Sequence, residues 1–185
     1  MRRIALAVAA MALLAACGQT ADNDTQAPAT PQPNQADVTF AQSMIPHHQQ
    51  AIEMAEAIKD RTTRPELVKL ADDITTTQGA EITSMRQWLQ AWGKPEAMTG
   101  MDHGQTAMPG MMDQGEMDQL MDLKGARFDL AFVDMMSRHH RGAIEMANTE
   151  LKDGSLPEVK QLAQQIITAQ QREVSQLAAW QRSWA

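Results

Sequence analysis

Apolar residues recur at intervals of three and four along four stretches of the chain, which is the spacing of one stripe on an α-helix. The first stripe consists of Phe40, Met44, His47, Ala51, Met54 and Ile58. A histidine therefore takes a place that an apolar residue would normally fill. Because no stretch alternates polar and apolar residues as a half-buried strand does, the pattern predicts an all-α protein.

Turn residues divide this pattern into helices that pair as antiparallel hairpins. The predicted helices cover about 40–61, 65–92, 125–152 and 157–184. The segments that begin at Thr63 and Ser155 resemble capping boxes, with a proline in the first turn of the helix that follows. Neither hairpin can bury its stripe alone, so we predict a four-helix bundle of two hairpins packed face to face around a pseudo-twofold axis.

The two hairpins are copies of one sequence unit. The segment Met44–Ala55 recurs as Met136–Ala147, and the copies align along the chain without a gap. Four of the five histidines lie in these segments, as one pair at 47 and 48 and a second pair at 139 and 140. The repeat therefore predicts that each half of the bundle contributes one histidine pair to its interior.

The N-terminal segment has the composition of an export signal. Arg2 and Arg3 precede an apolar run that ends in small residues and is too short to span a membrane. The segment Leu14–Cys17 resembles the bacterial lipobox, in which the cysteine is lipidated. We predict a signal peptide (1–16), a lipidated Cys17 with a flexible tether (17–36) and a bundle (37–185) made of repeat 1 (37–93), a connection (94–121) and repeat 2 (122–185).

Charge and residue types exclude several classes of function. The formal net charge is −7 at pH 7, which argues against nucleic acid as a partner. The single cysteine excludes an internal disulfide and a thiolate metal site. No Glu-x-x-His pair occurs, which argues against a di-iron bundle. Without a nucleophile beside a base or a phosphate loop, we expect no enzyme activity.

Methionine and histidine at helical spacing form candidate metal ligands. Met44 lies three and four residues before His47 and His48, so these side chains can converge on one ion. The second copy repeats this set as Met136, His139 and His140. Met54 and Met146 lie two turns further on, where they could complete a site only across the bundle. Thioether and imidazole without thiolate favour Cu(I), or its mimic Ag(I).

The connection between the copies is rich in the same donors. Seven of the 15 methionines lie between Lys94 and Met121, among glycines and prolines, and a short helix is predicted near Glu116–Met121. We predict that its donors add copper ligands; they are Met98, Met101, His103, Met108, Met111 and Met112.

Polar residues interrupt the stripes of the second and fourth helices at the height of the histidines. The hairpin register places Gln78 level with His47 and Glu81 level with Met44, and the second copy repeats this with Gln170 and Glu173. We expect these four side chains to orient the imidazoles in a polar layer at mid-bundle.

A structural interpretation of the same residues stays open. A methionine stripe at helical spacing is often ordinary core packing, and a histidine on that stripe is often a hydrogen-bonded core residue. The alternative to metal binding is therefore a structural or partner-binding bundle with core histidines. Titration with Cu(I) separates the two hypotheses.

The doubled Met…His-His motif, followed in each copy by Gln-x-x-Glu at Gln78 or Gln170, resembles the bacterial domain of unknown function 305 family over Asp37 to Trp184. The resemblance implies a ferritin-like four-helix bundle in the periplasm that binds copper through these histidines and methionines and contributes to copper tolerance. We expect the protein to buffer or sequester copper or to pass it on to other envelope copper-handling proteins. The family usually has Met four residues after the glutamate, as at Met85, but the second copy has Leu177, so no ligand is expected there.

Overall fold

The computed structural model describes residues 32–96 and 108–185, and these residues contain five α-helices, one 3₁₀ helix and no strand. The helices are α1 (Gln35–Glu56), α2 (Pro65–Ala91), α3 (Gln114–Met121), α4 (Ala126–Asp153) and α5 (Pro157–Trp184), with the 3₁₀ helix at Ala57–Asp60. The predictions of an all-α fold and of a short helix in the connection are confirmed. The predicted signal peptide and Cys17, together with Met98, Met101 and His103, lie outside the described residues.

The four long helices pack as the repeat predicts. Helix α1 packs against α2, and α4 packs against α5, so each copy forms one hairpin. The hairpins join through α1 and α4, which carry the two histidine pairs, and α3 lies against α4. No helix in residues 32–96 and 108–185 is long and apolar enough to cross a membrane.

The apolar core consists of two clusters, one toward each end of the bundle. Cluster A includes Met54, Leu67, Phe132, Met136 and Leu177. Cluster B includes Met44, Ile82, Met85, Ala143 and Ile166. Each long helix leaves one cluster and enters the other at its predicted polar position, so the histidines and glutamines lie between the clusters. Helix α1 runs from cluster B to cluster A, and α4 runs from cluster A to cluster B, as a twofold axis through the histidine layer requires.

The predicted capping boxes at Thr63 and Ser155 are wrong. The N-cap residues of α2 and α5 are Arg64 and Leu156, and neither side chain makes a capping hydrogen bond. Proline at the first helical position drives the residue before it into extended backbone, and that residue therefore becomes the N-cap. Capping boxes occur instead at the starts of α1 and α3, with Asn34 and Asp113 as N-caps.

The folded part begins slightly before the predicted start at Asp37. Asn34 caps α1 and donates a hydrogen bond from Nδ2 to the carbonyl oxygen of Asp153 at 2.8 Å. The buried carboxylate of Asp37 accepts hydrogen bonds from the backbone N–H groups of Ser155 and Leu156, both at 3.0 Å. Asp37 thereby satisfies backbone donors at the start of α5, a role that the sequence pattern had assigned to the capping box at Ser155.

Candidate metal centre

Four imidazoles form a fully buried layer at the middle of the bundle. The rings of His47 and His139 lie across the pseudo-twofold axis, with centroids 3.8 Å apart and planes tilted by 39°. The centroids of His139 and His140 are 6.3 Å apart. The two copies of the repeat therefore meet through their histidines.

Hydrogen bonds set the tautomers of two of these imidazoles. Nε2 of His47 donates to the carbonyl oxygen of Pro109 at 3.0 Å. Nε2 of His140 lies 2.6 Å from Oε2 of Glu173, in hydrogen-bond geometry. A carbonyl or carboxylate oxygen only accepts, so Nε2 carries the proton in each ring. The Nδ1 atoms of His47 and His140 then keep their lone pairs, and neither atom has a hydrogen-bond partner.

The other two imidazoles have fewer partners still. Nε2 of His48 lies 2.7 Å from Oε2 of Glu81, but the contact lacks the angles of a hydrogen bond, and Nδ1 has no partner. Neither ring nitrogen of His139 has a partner of good geometry. Buried polar atoms are nearly always hydrogen-bonded in folded proteins. This concentration of unpartnered nitrogen lone pairs fits a bound metal ion, because imidazole nitrogen is a common metal ligand.

Burial keeps the imidazoles at the twofold axis in the form that can bind a metal. Desolvation lowers the pKa of His47 to about 3, with smaller lowering effects from His48 and His140 against a raising effect from the Pro109 carbonyl. Desolvation also lowers the pKa of His139 well below its usual value. The other three imidazoles lower it further, and a backbone contact with His47 raises it by a smaller amount. Both rings are therefore neutral at ordinary pH, as ligation requires.

The four motif methionines flank this layer on both sides. Met44 lies in cluster B and Met136 in cluster A, and both are fully buried. Met54 shares cluster A with Met136, and the half-buried Met146 packs against cluster B, which contains Met44. Each side of the imidazole layer thus receives one methionine from each copy.

Carboxylate and imidazole groups do not by themselves form a metal cage here. Within residues 32–96 and 108–185, no group of three or more His, Cys, Asp or Glu side chains converges on a possible ion position. Any ion in this layer needs other donors or a shift of the rings, and the described donors of the right softness are the flanking thioethers.

A segment of the connection covers the α1/α4 side of the layer. Residues 108–112, which we call the strap, pass over α4 at Gly142, where a Cβ atom would overlap the carbonyl of Pro109. Gln50 donates from Nε2 to the carbonyl oxygen of Met112, and its Oε1 accepts from the backbone N–H of Met112, both at 2.8 Å.

The predicted connection ligands that the structure describes are all in the strap. Met108 and Met111 are half-buried, and Met112 is buried, with its sulfur 3.2 Å from Nη2 of Arg138. The sequence analysis did not single out Pro109, Gln50 or Gly142. A signal was present, because Gln50 and Gly142 hold the same place in the two copies and differ.

The α2/α5 side of the layer opens as a small cleft. Its walls contain the polar residues Gln78, Glu81, Gln170 and Glu173. The two glutamates reach the second histidine of each pair, although the predicted register had placed them level with the methionines. The Oε1 atoms of Gln78 and Gln170 are buried and have no hydrogen-bond partner.

The family of the domain of unknown function DUF305 matches residues 37–181. The chain belongs to this family. No curated protein matches it. This DUF305 chain is 33% identical to a DUF305 protein from Streptomyces coelicolor, with a TM-score of 0.75, and the alignment covers 80% of this chain and 93% of that one. A DUF305 fragment from Deinococcus radiodurans is 29% identical with a TM-score of 0.75, and the alignment covers 83% of this chain and 99% of the fragment.

A third similar structure is CopM in its Cu(II)-bound form. It is 37% identical to this DUF305 chain with a TM-score of 0.70, and the alignment covers 80% of this chain and 97% of CopM. CopM also has structures in Cu(I)-bound and Ag-bound forms.

Proposed function

We propose that this DUF305 chain is a copper-binding protein of the bacterial envelope that holds Cu(I), with Ag(I) as its mimic, through imidazole and thioether ligands. The observation that carries the proposal is the buried layer of His47, His48, His139 and His140, whose nitrogen lone pairs lack partners and which methionines flank on both sides. The likeness to CopM, which has copper-bound and silver-bound forms, supports the same ion.

The ligand chemistry favours the monovalent ion. Cu(I) and Ag(I) are soft, and they prefer thioether and imidazole to the carboxylates that bind hard cations. The proposed ligands are the free nitrogens of the four histidines, with Met44 and Met136 and, across the bundle, Met54 and Met146. Glu81 and Glu173 contact the imidazoles from outside, as partners that orient metal-binding histidines commonly do. Gln78 and Gln170 complete that outer layer.

The protein would store or transfer the ion rather than catalyse a reaction. The connection methionines and His103 would capture copper from solvent and deliver it to the buried layer. A lipid on Cys17 would hold the protein at the membrane, facing the periplasm, and the Streptomyces coelicolor relative carries a name that describes it as secreted. Sequestration or transfer to another envelope copper-handling protein would contribute to copper tolerance.

Competition with a chromophoric Cu(I) chelator tests the proposal. The wild-type protein should bind Cu(I) stoichiometrically, and replacing all four motif histidines by leucine should abolish the tight sites. Replacing Met108, Met111 and Met112 by leucine should remove only weaker ones. Circular dichroism controls for folding of each variant. Absence of tight binding by folded wild-type protein would leave only the structural bundle with core histidines.

The same titration at several pH values tests the division between the two classes of site. Acidification should weaken the histidine sites more than the methionine sites, because imidazole must be neutral to bind a metal whereas a thioether does not titrate. Equal weakening of both classes would contradict this assignment.

A further inference from the structure

We propose that the ion enters the imidazole layer through the cleft between α2 and α5, where the negative charges of Glu81 and Glu173 attract it. This inference rests on the proposed function and adds a route to it. A route is needed because all four imidazoles are fully buried and no ring atom can meet an ion in solvent directly.

The opposite side of the layer is closed by backbone. The strap lies so near α4 that a Cβ atom on Gly142 would overlap the carbonyl of Pro109, and the same carbonyl accepts a hydrogen bond from His47. The two hydrogen bonds between Gln50 and Met112 fix the end of the strap. An ion arriving from the α1/α4 side would have to displace all of these contacts.

The α2/α5 side is open to solvent through side chains that already touch the imidazoles. The side chain of Glu81 is 13% exposed and lies 2.7 Å from fully buried His48. The side chain of Glu173 is 23% exposed and lies 2.6 Å from fully buried His140. Each glutamate therefore reaches from solvent to a fully buried imidazole, and the pair forms a polar path from solvent to the layer.

Two amide oxygens continue the path inward. Gln78 and Gln170 line the same cleft, each is 3% exposed, and the Oε1 atom of each has no hydrogen-bond partner. A buried carbonyl oxygen without a donor is costly unless a cation or water can meet it. The cleft thus presents carboxylate oxygens outside, amide oxygens below them and imidazole nitrogens at its base.

The pseudo-twofold symmetry supports the same route. The amide and carboxylate residues of the cleft form equivalent pairs in the two copies, Gln78 with Gln170 and Glu81 with Glu173. The strap side instead differs between the copies where its backbone is held, at Gln50 and Gly142. An ion that arrives along the axis meets two carboxylates at once, and their negative potential concentrates cations at the mouth.

Narrowing the rim of the cleft provides a test that touches no histidine. Thr77 and Ala169 are equivalent positions at this rim, and the double variant Thr77→Phe with Ala169→Phe adds bulk without changing charge. Stopped-flow transfer of Cu(I) from and to a chromophoric chelator gives both rate constants. Both should fall by the same factor, with the equilibrium affinity unchanged, because only the route is altered.

Two matched variants control for bulk and for charge. Thr76→Phe with Thr168→Phe adds comparable bulk one residue earlier on the same helices, outside the cleft, and should leave both rates unchanged. Glu81→Gln with Glu173→Gln should lower the association rate constant by about tenfold, at the low end of the range for electrostatic focusing. Glu53→Gln with Glu145→Gln removes the same charge from exposed positions on α1 and α4 and should change it far less.

The outcomes separate the route from the proposed function. Tight equilibrium binding with rates unaffected by the rim variant would overturn the route and leave the copper site standing. Failure of the wild-type protein to bind Cu(I) at equilibrium would overturn both. Equal slowing by the rim variant and its displaced control would also overturn the route.

Discussion

At the scale of single residues, the histidine layer lowers the stability of the fold. An imidazole removed from water without well-formed hydrogen bonds costs free energy, and neither nitrogen of His139 has a partner of good geometry. An apolar side chain there would join clusters A and B into one core. The retention of a polar layer in such a position is expected of a binding site, because functional groups are commonly kept at a cost in stability.

The variant His139→Leu should therefore stabilise the metal-free protein while weakening Cu(I) binding. The expected gain in the free energy of unfolding is about 1–3 kcal/mol, the cost of one buried unpaired polar group. Urea denaturation in the absence of metal measures the stability, and chelator competition measures the binding. A variant that is less stable than wild type without metal would indicate that the imidazole has a structural partner.

The residue identities of this layer were predictable, but their contacts were not. A histidine on an apolar stripe, repeated in register, was sufficient to single out His47 and His139. Which nitrogen stays free depends on Pro109, which belongs to the connection, and on Glu173, whose long side chain reaches His140 rather than the level of Met136. Neither partner follows from helical periodicity, because both contacts cross between separate elements.

At the scale of elements, the connection makes the two copies unequal. The ungapped repeat predicted a symmetric bundle, and the helices and clusters follow that prediction. The strap then packs on one side, where the first copy supplies the amide of Gln50 and the second supplies the bare backbone of Gly142. The two copies differ in sequence at this pair because the strap packs there, but only the structure shows that the strap is what contacts Gln50 and Gly142.

A pair of glycine substitutions tests the packing of the strap. Gly142→Ala should destabilise the protein by about 1–3 kcal/mol, because the added methyl group overlaps the Pro109 carbonyl and forces the strap away. Gly79→Ala lies in α2 with open space around it, and it should stabilise the protein by about 0.5–1 kcal/mol through helix propensity. Urea denaturation of both variants gives the comparison, and equal effects would contradict close packing at Gly142.

At the scale of the whole molecule, a buried pair of carboxyl groups joins the two hairpins at one end of the bundle. Asp37 of α1 holds the start of α5, and Glu150 of α4 is buried against Asp37. Neither carboxyl oxygen of Glu150 has a hydrogen-bond partner of good geometry, and a protonated Glu150 can donate to the neighbouring carboxylate of Asp37. Burial, followed by the contact with Asp37, raises the pKa of Glu150 to about 8.

Burial also raises the pKa of Asp37, but hydrogen bonds from Ser155, Leu156 and Asn34 outweigh it and lower that pKa overall. The pKa values of the two carboxyl groups are thus shifted in opposite directions, so Asp37 is ionised and Glu150 is protonated at neutral pH. Because folding raises the pKa of Glu150, an increase in pH lowers the free energy of unfolding. The nearby Lys160 lowers this pKa and offsets only part of the effect.

The stability of the whole bundle should therefore depend on Glu150 between about pH 4.5 and 8. The folded state holds this proton more tightly than the unfolded chain, so the stabilising effect is complete below the unfolded pKa and is lost as pH rises through the folded one.

Glu150→Gln keeps a neutral side chain of the same size and should raise the free energy of unfolding at pH 9 by a few kcal/mol, on the order expected from the shift. At pH 4 it should change little. Urea denaturation across this range measures the effect, with Glu145→Gln as an exposed control on the same helix. Parallel pH profiles for wild type and Glu150→Gln would show that this carboxyl group does not carry the dependence.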